Sequence, residues 1–258
     1  MSEDIILKER HGLVTVLSMN YRPYNLIGPT LSRPLLAAMR EAVEQGSRAV
    51  VLRSALRHFC AGADVSLFTA RIDAKGEGVT SPLDTLRGFE TLPVPIVASV
   101  HGVCLGGGFE LALASDYIVA AASAKIGSVE SALGLHPLMG GIQRQVQRAG
   151  VSRAKEMSML GRRYDAATLE RWGLINLVVP DDQLDAASLA VAQELAHGPT
   201  VAHAATKQLA AIAANEGVEA ADLAMAELQK PIWASRDLKT GLASFRANGP
   251  GLAQFEGR

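Results

Sequence analysis

The chain is 258 residues long, 48% hydrophobic, 20% charged and 5% aromatic, with 25 basic and 26 acidic side chains and a formal net charge of −1. That much apolar residue fills one large core and excludes a disordered or collagen-like polymer. The even charge balance lacks the basic excess of a protein that neutralises many phosphates, so nucleic acid is not expected as a partner. Two cysteines, Cys60 and Cys104, are too few for a disulfide framework, and the opening MSEDIILKER lacks the apolar run of a secretory signal. A reducing, cytoplasmic location is the expectation. Thr91 to Phe109 carries no formal charge, yet it holds Pro93, Pro95, Gly102 and the run Gly106 to Gly108. It reads as a buried strand and loop, not as a membrane span.

Ile5 to Glu9 and Leu13 to Ser18 read as two strands joined by a turn at His11 and Gly12, an opening hairpin. After a loop punctuated by Pro23 to Pro29, Leu35, Leu36, Met39 and Val43 fall at helical spacing within Leu31 to Glu44, which Gly46 ends. Strands are expected at Ala49 to Arg53, Val94 to Val100 and Tyr117 to Ala120, with helices between them at Pro82 to Glu90 and Glu110 to Ser115. This is crossover α/β architecture. From Ile142 onward the pattern is mostly helical: Gln143 to Ala149, Arg153 to Leu160, Ala166 to Arg171, a strand at Ile175 to Val179, then Leu184 to His197. Ala202 to Asn215, Val218 to Leu228 and Ser235 to Phe245 follow, with no strands left to cover. They must pack on each other or on another subunit, which sets a boundary near His197.

Three features bear on chemistry. In HFCAGADV, His58 to Val65, a strand runs into residues small enough for a ligand to approach the backbone. In HGVCLGGGFELALASD, His101 to Asp116, three glycines open a helix, so unpaired N–H groups and the positive end of the helix dipole converge on an anion or oxyanion site. The third is Glu130, following a turn at Gly127 and Ser128, where an intervening strand would return the chain to the same cleft and face a second carboxylate toward Glu110.

Each has a plainer reading. A Gly-rich turn serves close helix–sheet packing in many α/β proteins, Glu110 suits a first helical turn, and Glu130 suits an exposed surface. Cys60 and Cys104 read as small buried hydrophobes. The six histidines lack zinc-ligand spacing, so no metal is expected. Neither G-x-G-x-x-G, G-x-x-x-x-G-K-[ST] nor G-x-S-x-G is present, and Ser152 with Lys155 falls on an expected helix, a chance pairing.

Taken together, AGAD at Ala61 to Asp64, GGGFELALASD at Gly106 to Asp116 and the later Glu130 resemble the enoyl-CoA hydratase/isomerase (crotonase) superfamily in order and separation. The likeness runs on through LGRRYDAATLERWGLINLVV, Leu160 to Val179, to FRANGPGLAQFEGR, Phe245 to Arg258. It implies a crotonase-like α/β spiral of ββα units over residues 1–197 and a C-terminal helical trimerisation region over 198–258, assembled as a homotrimer or a hexamer of two trimers. It implies an acyl-CoA thioester as substrate, with coenzyme A part of that substrate and no separate cofactor. The thioester oxygen would sit on the N–H groups of Ala63 and Gly107, and main-chain groups of Ala61, Ala63, Asp64, Val65, Ser66 and Gly107 would hold substrate.

Members that hydrate trans-2-enoyl-CoA, as in fatty acid β-oxidation, are similar in having a glutamate at both positions, whereas isomerases often keep only the second. The resemblance therefore assigns Glu110 to activating water and Glu130 to protonating C2. Double-bond isomerisation, hydroxyacyl-CoA dehydration, thioester hydrolysis and a silent acyl-CoA-binding scaffold are the other readings. The chain departs from its relatives at Ser128 and Val129, where Gln-Pro is common, at Leu138 and Met139, which replace a Gly-rich turn, and in YRPYNLI, Tyr21 to Ile27. These departures alter the lining of the acyl pocket.

Overall fold

The computed structural model describes residues 4–68 and 83–258. The opening hairpin is β1 (Ile6–His11) and β2 (Val14–Met19), antiparallel, turning at Gly12. Next come α1 (Pro29–Glu44), β3 (Ala49–Ser54), α2 (Leu83–Glu90), β4 (Ile96–Val100), β5 (Val103–Leu105) and α3 (Gly107–Leu113). The expected start of α2 at Pro82 lies outside the described residues. Then follow β6 (Tyr117–Ala121), β7 (Lys125–Gly127), α4 (Gly141–Leu160), β8 (Tyr164–Asp165), α5 (Ala166–Arg171) and β9 (Leu177–Val179). Four helices close the chain: α6 (Leu184–His197), α7 (Thr200–Glu216), α8 (Val218–Ala234) and α9 (Arg236–Asn248).

Among the described residues the strands form a six-stranded sheet, β1-β2-β3-β4-β6-β9, and a three-stranded sheet, β5-β7-β8. From β2 to β9 every neighbour in the large sheet is parallel. Its central strand, β4, is an uninterrupted apolar or small run, IVASV, buried throughout, as a strand covered on both faces requires. On α1, Leu31, Leu35, Ala38, Met39 and Ala42 recur at helical spacing and bury one stripe in the core. Thr91 to Phe109, the charge-free stretch, holds a loop, β4, β5 and the start of α3, and among the described residues no helix is long and apolar enough to cross a membrane.

Two details position the site. After β4 the chain turns at Gly102 (φ +60°) and crosses to the small sheet, so β5 rather than β4 delivers the triple glycine. The expected turn at Gly127 and Ser128 is corrected. Gly127 is the last residue of β7, paired with Leu105, and Ser128 is fully buried, accepting a hydrogen bond from Gln145 Nε2 at 2.7 Å. Glycine suits that strand position because a Cβ on Gly127 would lie 2.3 Å from the Arg162 carbonyl oxygen. The two helices expected on either side of residue 150 form one element broken by non-helical geometry at Gly150.

Beyond His197 the chain is helical. The pair α7 and α8 pack on each other, α7 buries no residue fully, and Leu223 and Trp233 are 78% and 68% exposed. Lys207 of α7 reaches back to the body, donating to Asp116 Oδ2 at 2.7 Å and to the Val94 carbonyl at 3.0 Å.

Candidate active site

The small residues after β3 and those after β5 meet through their backbones. Cys60 N–H donates to the Val103 carbonyl (3.2 Å) and Leu105 N–H to the Cys60 carbonyl (3.0 Å). Just beyond, Ala63 forms a parallel bridge with Ile27, in which Ile27 N–H donates to Gly62 and Asp64 N–H to Ile27, both at 2.9 Å. In that pattern the central residue turns its own N–H away from the partner strand. Gly107 begins α3, so no intrahelical carbonyl lies behind its N–H. Neither N–H has an acceptor among the described residues, and both residues line one cleft of about 510 Å³. The glycines permit the approach: Gly106 sits at φ +51°, and a Cβ on Gly108 would be 2.6 Å from Cys60 Cβ.

Glu110 and Glu130 line the same cleft. Glu110 lies one helical turn into α3 and is 2% exposed; its Oε1 accepts from the main-chain N–H of Met139 (2.8 Å) and of Gly141 (2.7 Å). Burial pushes its carboxyl up to about 7; the Gly141 N–H pulls it back, the nearby Glu130 raises it further, and the Met139 N–H and the Arg144 charge again lower it. Glu130 opens a 3-10 turn, Glu130–Leu133. Its carboxylate packs against Gly106, where a Cβ would lie 3.2 Å from Oε1. Both of its oxygens are buried without a hydrogen-bond partner among the described residues, and burial raises its affinity for a proton against the opposing fields of its own N–H and of His136.

Of the remaining residues singled out by sequence, Ala61, Ala63, Asp64, Val65 and Gly107 lie on the cleft wall, but Ser66 does not. Its N–H and hydroxyl both bond Asp64 Oδ1, at 3.0 and 2.6 Å, closing a local turn. Leu138 and Met139 both face the cleft, and Met139 Sδ would lie 3.5 Å from a Cβ on Gly107. In YRPYNLI, Ile27 lines the cleft while Asn25 is fully buried at φ +52°. The Asn25 side chain accepts from Tyr21 N–H and donates to Ser54 Oγ and the Phe59 carbonyl, fixing the loop that carries Ile27. Cys60 and Cys104 are free and buried, their thiols held protonated by burial: Cys60 is pushed up to about 12 and Cys104 is raised as well. Among the described residues no cluster of His, Cys, Asp and Glu could hold a metal ion.

Sequence reasoning missed the support of Glu110. The turn from Met139 to Gly141 supplies both of its hydrogen bonds, and a Cβ on Gly141 would stand 2.7 Å from Glu110 Cγ, so glycine is required there. The pair Gly140 and Gly141 ahead of a helix was the available signal.

Paired amide donors beside two carboxylates on an α/β body are what the comparisons with known proteins then place in context. A family model described as enoyl-CoA hydratase/isomerase matches residues 9–256. A probable enoyl-CoA hydratase of Rhizobium meliloti (strain 1021) is 34% identical, covering 96% of each chain. The mitochondrial methylglutaconyl-CoA hydratase of Mus musculus is 32% identical over 95% of this chain and 80% of its own. The crystal structure of an enoyl-CoA hydratase from Bacillus anthracis superposes with a TM-score of 0.88 at 28% identity, covering 99% of this chain and 100% of that one. The chain belongs to the enoyl-CoA hydratase/isomerase family. Its fold is the crotonase fold with a C-terminal helical region, and within the superfamily it is enoyl-CoA hydratase-like.

Proposed function

We propose that this protein hydrates trans-2-enoyl-CoA thioesters reversibly to 3-hydroxyacyl-CoA by syn addition. The observation that carries the reading is the convergence on one cleft of Glu110, Glu130 and the N–H groups of Ala63 and Gly107, which have no acceptor among the described residues. With the thioester oxygen on those two amides, Glu110 takes a proton from water as the water oxygen bonds C3. The π electrons move toward C2 and the carbonyl, and negative charge collects on the oxygen that the fixed N–H dipoles face. Loss of one such donor costs about 2.7–4 kcal/mol of barrier in comparable sites. Glu130 then delivers its proton to C2 on the same face, so the working form of the pair carries one proton. Among the described residues the Glu130 oxygens have no other partner, which supports that donor role.

This acid–base cycle needs no cofactor beyond the coenzyme A of the substrate, with Ala61, Asp64 and Val65 beside it. The exposed apolar faces of α8 and α9, including Trp233 and Phe245, support assembly into a homotrimer or hexamer. The deciding experiment follows loss of enoyl absorbance with crotonyl-CoA and longer homologues in wild type, Glu110→Gln and Glu130→Gln. Undiminished turnover in either variant would remove that residue from its role. Product analysis across an acyl-CoA panel separates hydration from isomerisation and thioester hydrolysis, and a binder that turns over no ester would be a scaffold.

A further inference from the structure

The turn that holds Glu110 is itself held. Arg144, on the first turn of α4 and with its side chain 11% exposed, donates Nη1 to the Gly140 carbonyl at 3.0 Å. Gly140 lies between the two residues whose N–H groups grip Glu110, and its φ of +98° gives the turn a shape that side-chain-bearing residues rarely adopt. The other edge of the same guanidinium forks onto Glu90 at the end of α2, Nε to Oε1 and Nη2 to Oε2, both at 2.7 Å. A planar bidentate pair fixes orientation as well as charge. Helix α2 contributes Asp84 and Thr85 to the cleft wall, so one side chain ties that wall to the Glu110 turn.

We infer that Arg144, oriented by Glu90, is a positioning residue for Glu110: it pins the Gly140 carbonyl so that the Met139 and Gly141 amides point at the carboxylate, and it brings a cation to bear on that buried acid. Arg144 touches no reacting atom. Among the described residues the charged groups facing Glu110 are Glu130 from the 3-10 turn, which opposes its ionisation, and Arg144 from α4, which favours it. The inference rests on the hydratase reading for its kinetic consequence, though not for its electrostatic one.

The test compares Arg144→Met, Arg144→Lys and Glu90→Gln with wild type in steady-state hydration of crotonyl-CoA across pH. In parallel, ¹³C NMR follows the titration of the Glu110 carboxyl in the ligand-free enzymes, assigned by its absence in Glu110→Gln. With the amides misaligned, Arg144→Met should lose about tenfold or more in kcat while KM changes by less than about threefold. The Glu110 titration should move upward by about half a unit or more as its cation is lost. Arg144→Lys keeps a charge but not the fork, so it should restore most of the titration and only part of kcat; Glu90→Gln should lie between Lys and wild type. An unchanged Glu110 titration in Arg144→Met with kcat retained, or a lowered melting temperature as the sole effect, would overturn the inference. If Arg144→Met does not fold, the Lys and Gln variants decide it by the same two readouts. Wild type that hydrates no enoyl-CoA would instead sink the hydratase reading, and the ¹³C titration would still decide the coupling of Arg144 to Glu110.

Discussion

Glu110 and Glu130 line one cleft from two kinds of scaffold. Glu110 projects from a fully buried helix and is gripped at one oxygen by two amides, whereas Glu130 stands at the head of a 3-10 turn with neither oxygen bonded among the described residues. Two N–H donors favour a carboxylate of fixed direction, which suits a base that must aim a water molecule. An unbonded, buried carboxyl favours keeping its proton and leaves that proton free to move. The contrast is one of geometry, a carboxylate of fixed direction against a freer one, where the side chains themselves are identical.

The sharpest way to break this comparison is to remove each acid. Glu110→Gln and Glu130→Gln should each lower kcat for crotonyl-CoA hydration by about 10²–10⁴-fold. An exchange assay at C2 in deuterated water sharpens the result: loss of C2 exchange should be greater in Glu130→Gln, and the reverse order would exchange the two roles. Next in size is Gly141→Ala. Its Cβ would collide with Glu110 Cγ, so the carboxylate must shift, and about a 10²-fold fall in kcat is expected from displacement alone. Circular dichroism should show the fold retained, because the overpacking costs about 1–3 kcal/mol.

A smaller effect concerns stability against pH. Glu110 is held near 7 in the folded chain against an ordinary 4.5. Below 4.5 it is neutral in both states; between 4.5 and about 7 the unfolded chain releases the proton first, so stability falls as pH rises through that window and levels off above it. Glu110→Gln keeps an amide oxygen for the two N–H donors and removes the decline. Urea unfolding should therefore show the variant more stable than wild type above pH 7, by about 3 kcal/mol at most, with no gain at pH 4. Glu130→Gln should give a gain of the same sign, because burial raises the Glu130 carboxyl as well; a loss of stability there would break the reading of Glu130 as a buried acid.

The residues that line the cleft were legible because each sits in a short contiguous motif whose residue types are demanding: AGAD, GGGFELALASD and a glutamate after β7. The alternation of strands and helices was legible for the same reason, since β3, β4 and β6 are long enough to show a pattern. What escaped was either too short or too remote. Strands β5, β7 and β8 span two or three residues, below any readable periodicity, and Gly127 looked like a turn because its reason, the nearby Arg162 carbonyl, is tertiary. The amides that grip Glu110 lie 29 and 31 positions along the chain, and Glu90 lies 54 from Arg144, distances at which sequence alone names no partner. The local turn at Ser66, whose N–H and hydroxyl both bond Asp64, was likewise not read from sequence.

Arg48, at the threshold of β3, sends its guanidinium out of the strand body to Thr200 Oγ1 and the carbonyls of Gly198 and Phe255. All three acceptors come after His197. Cutting the polypeptide there would strand a buried cation at the foot of β3, so the trailing segment is bonded into the sheet-bearing part, and a shortened version made for expression should come out of the cell insoluble.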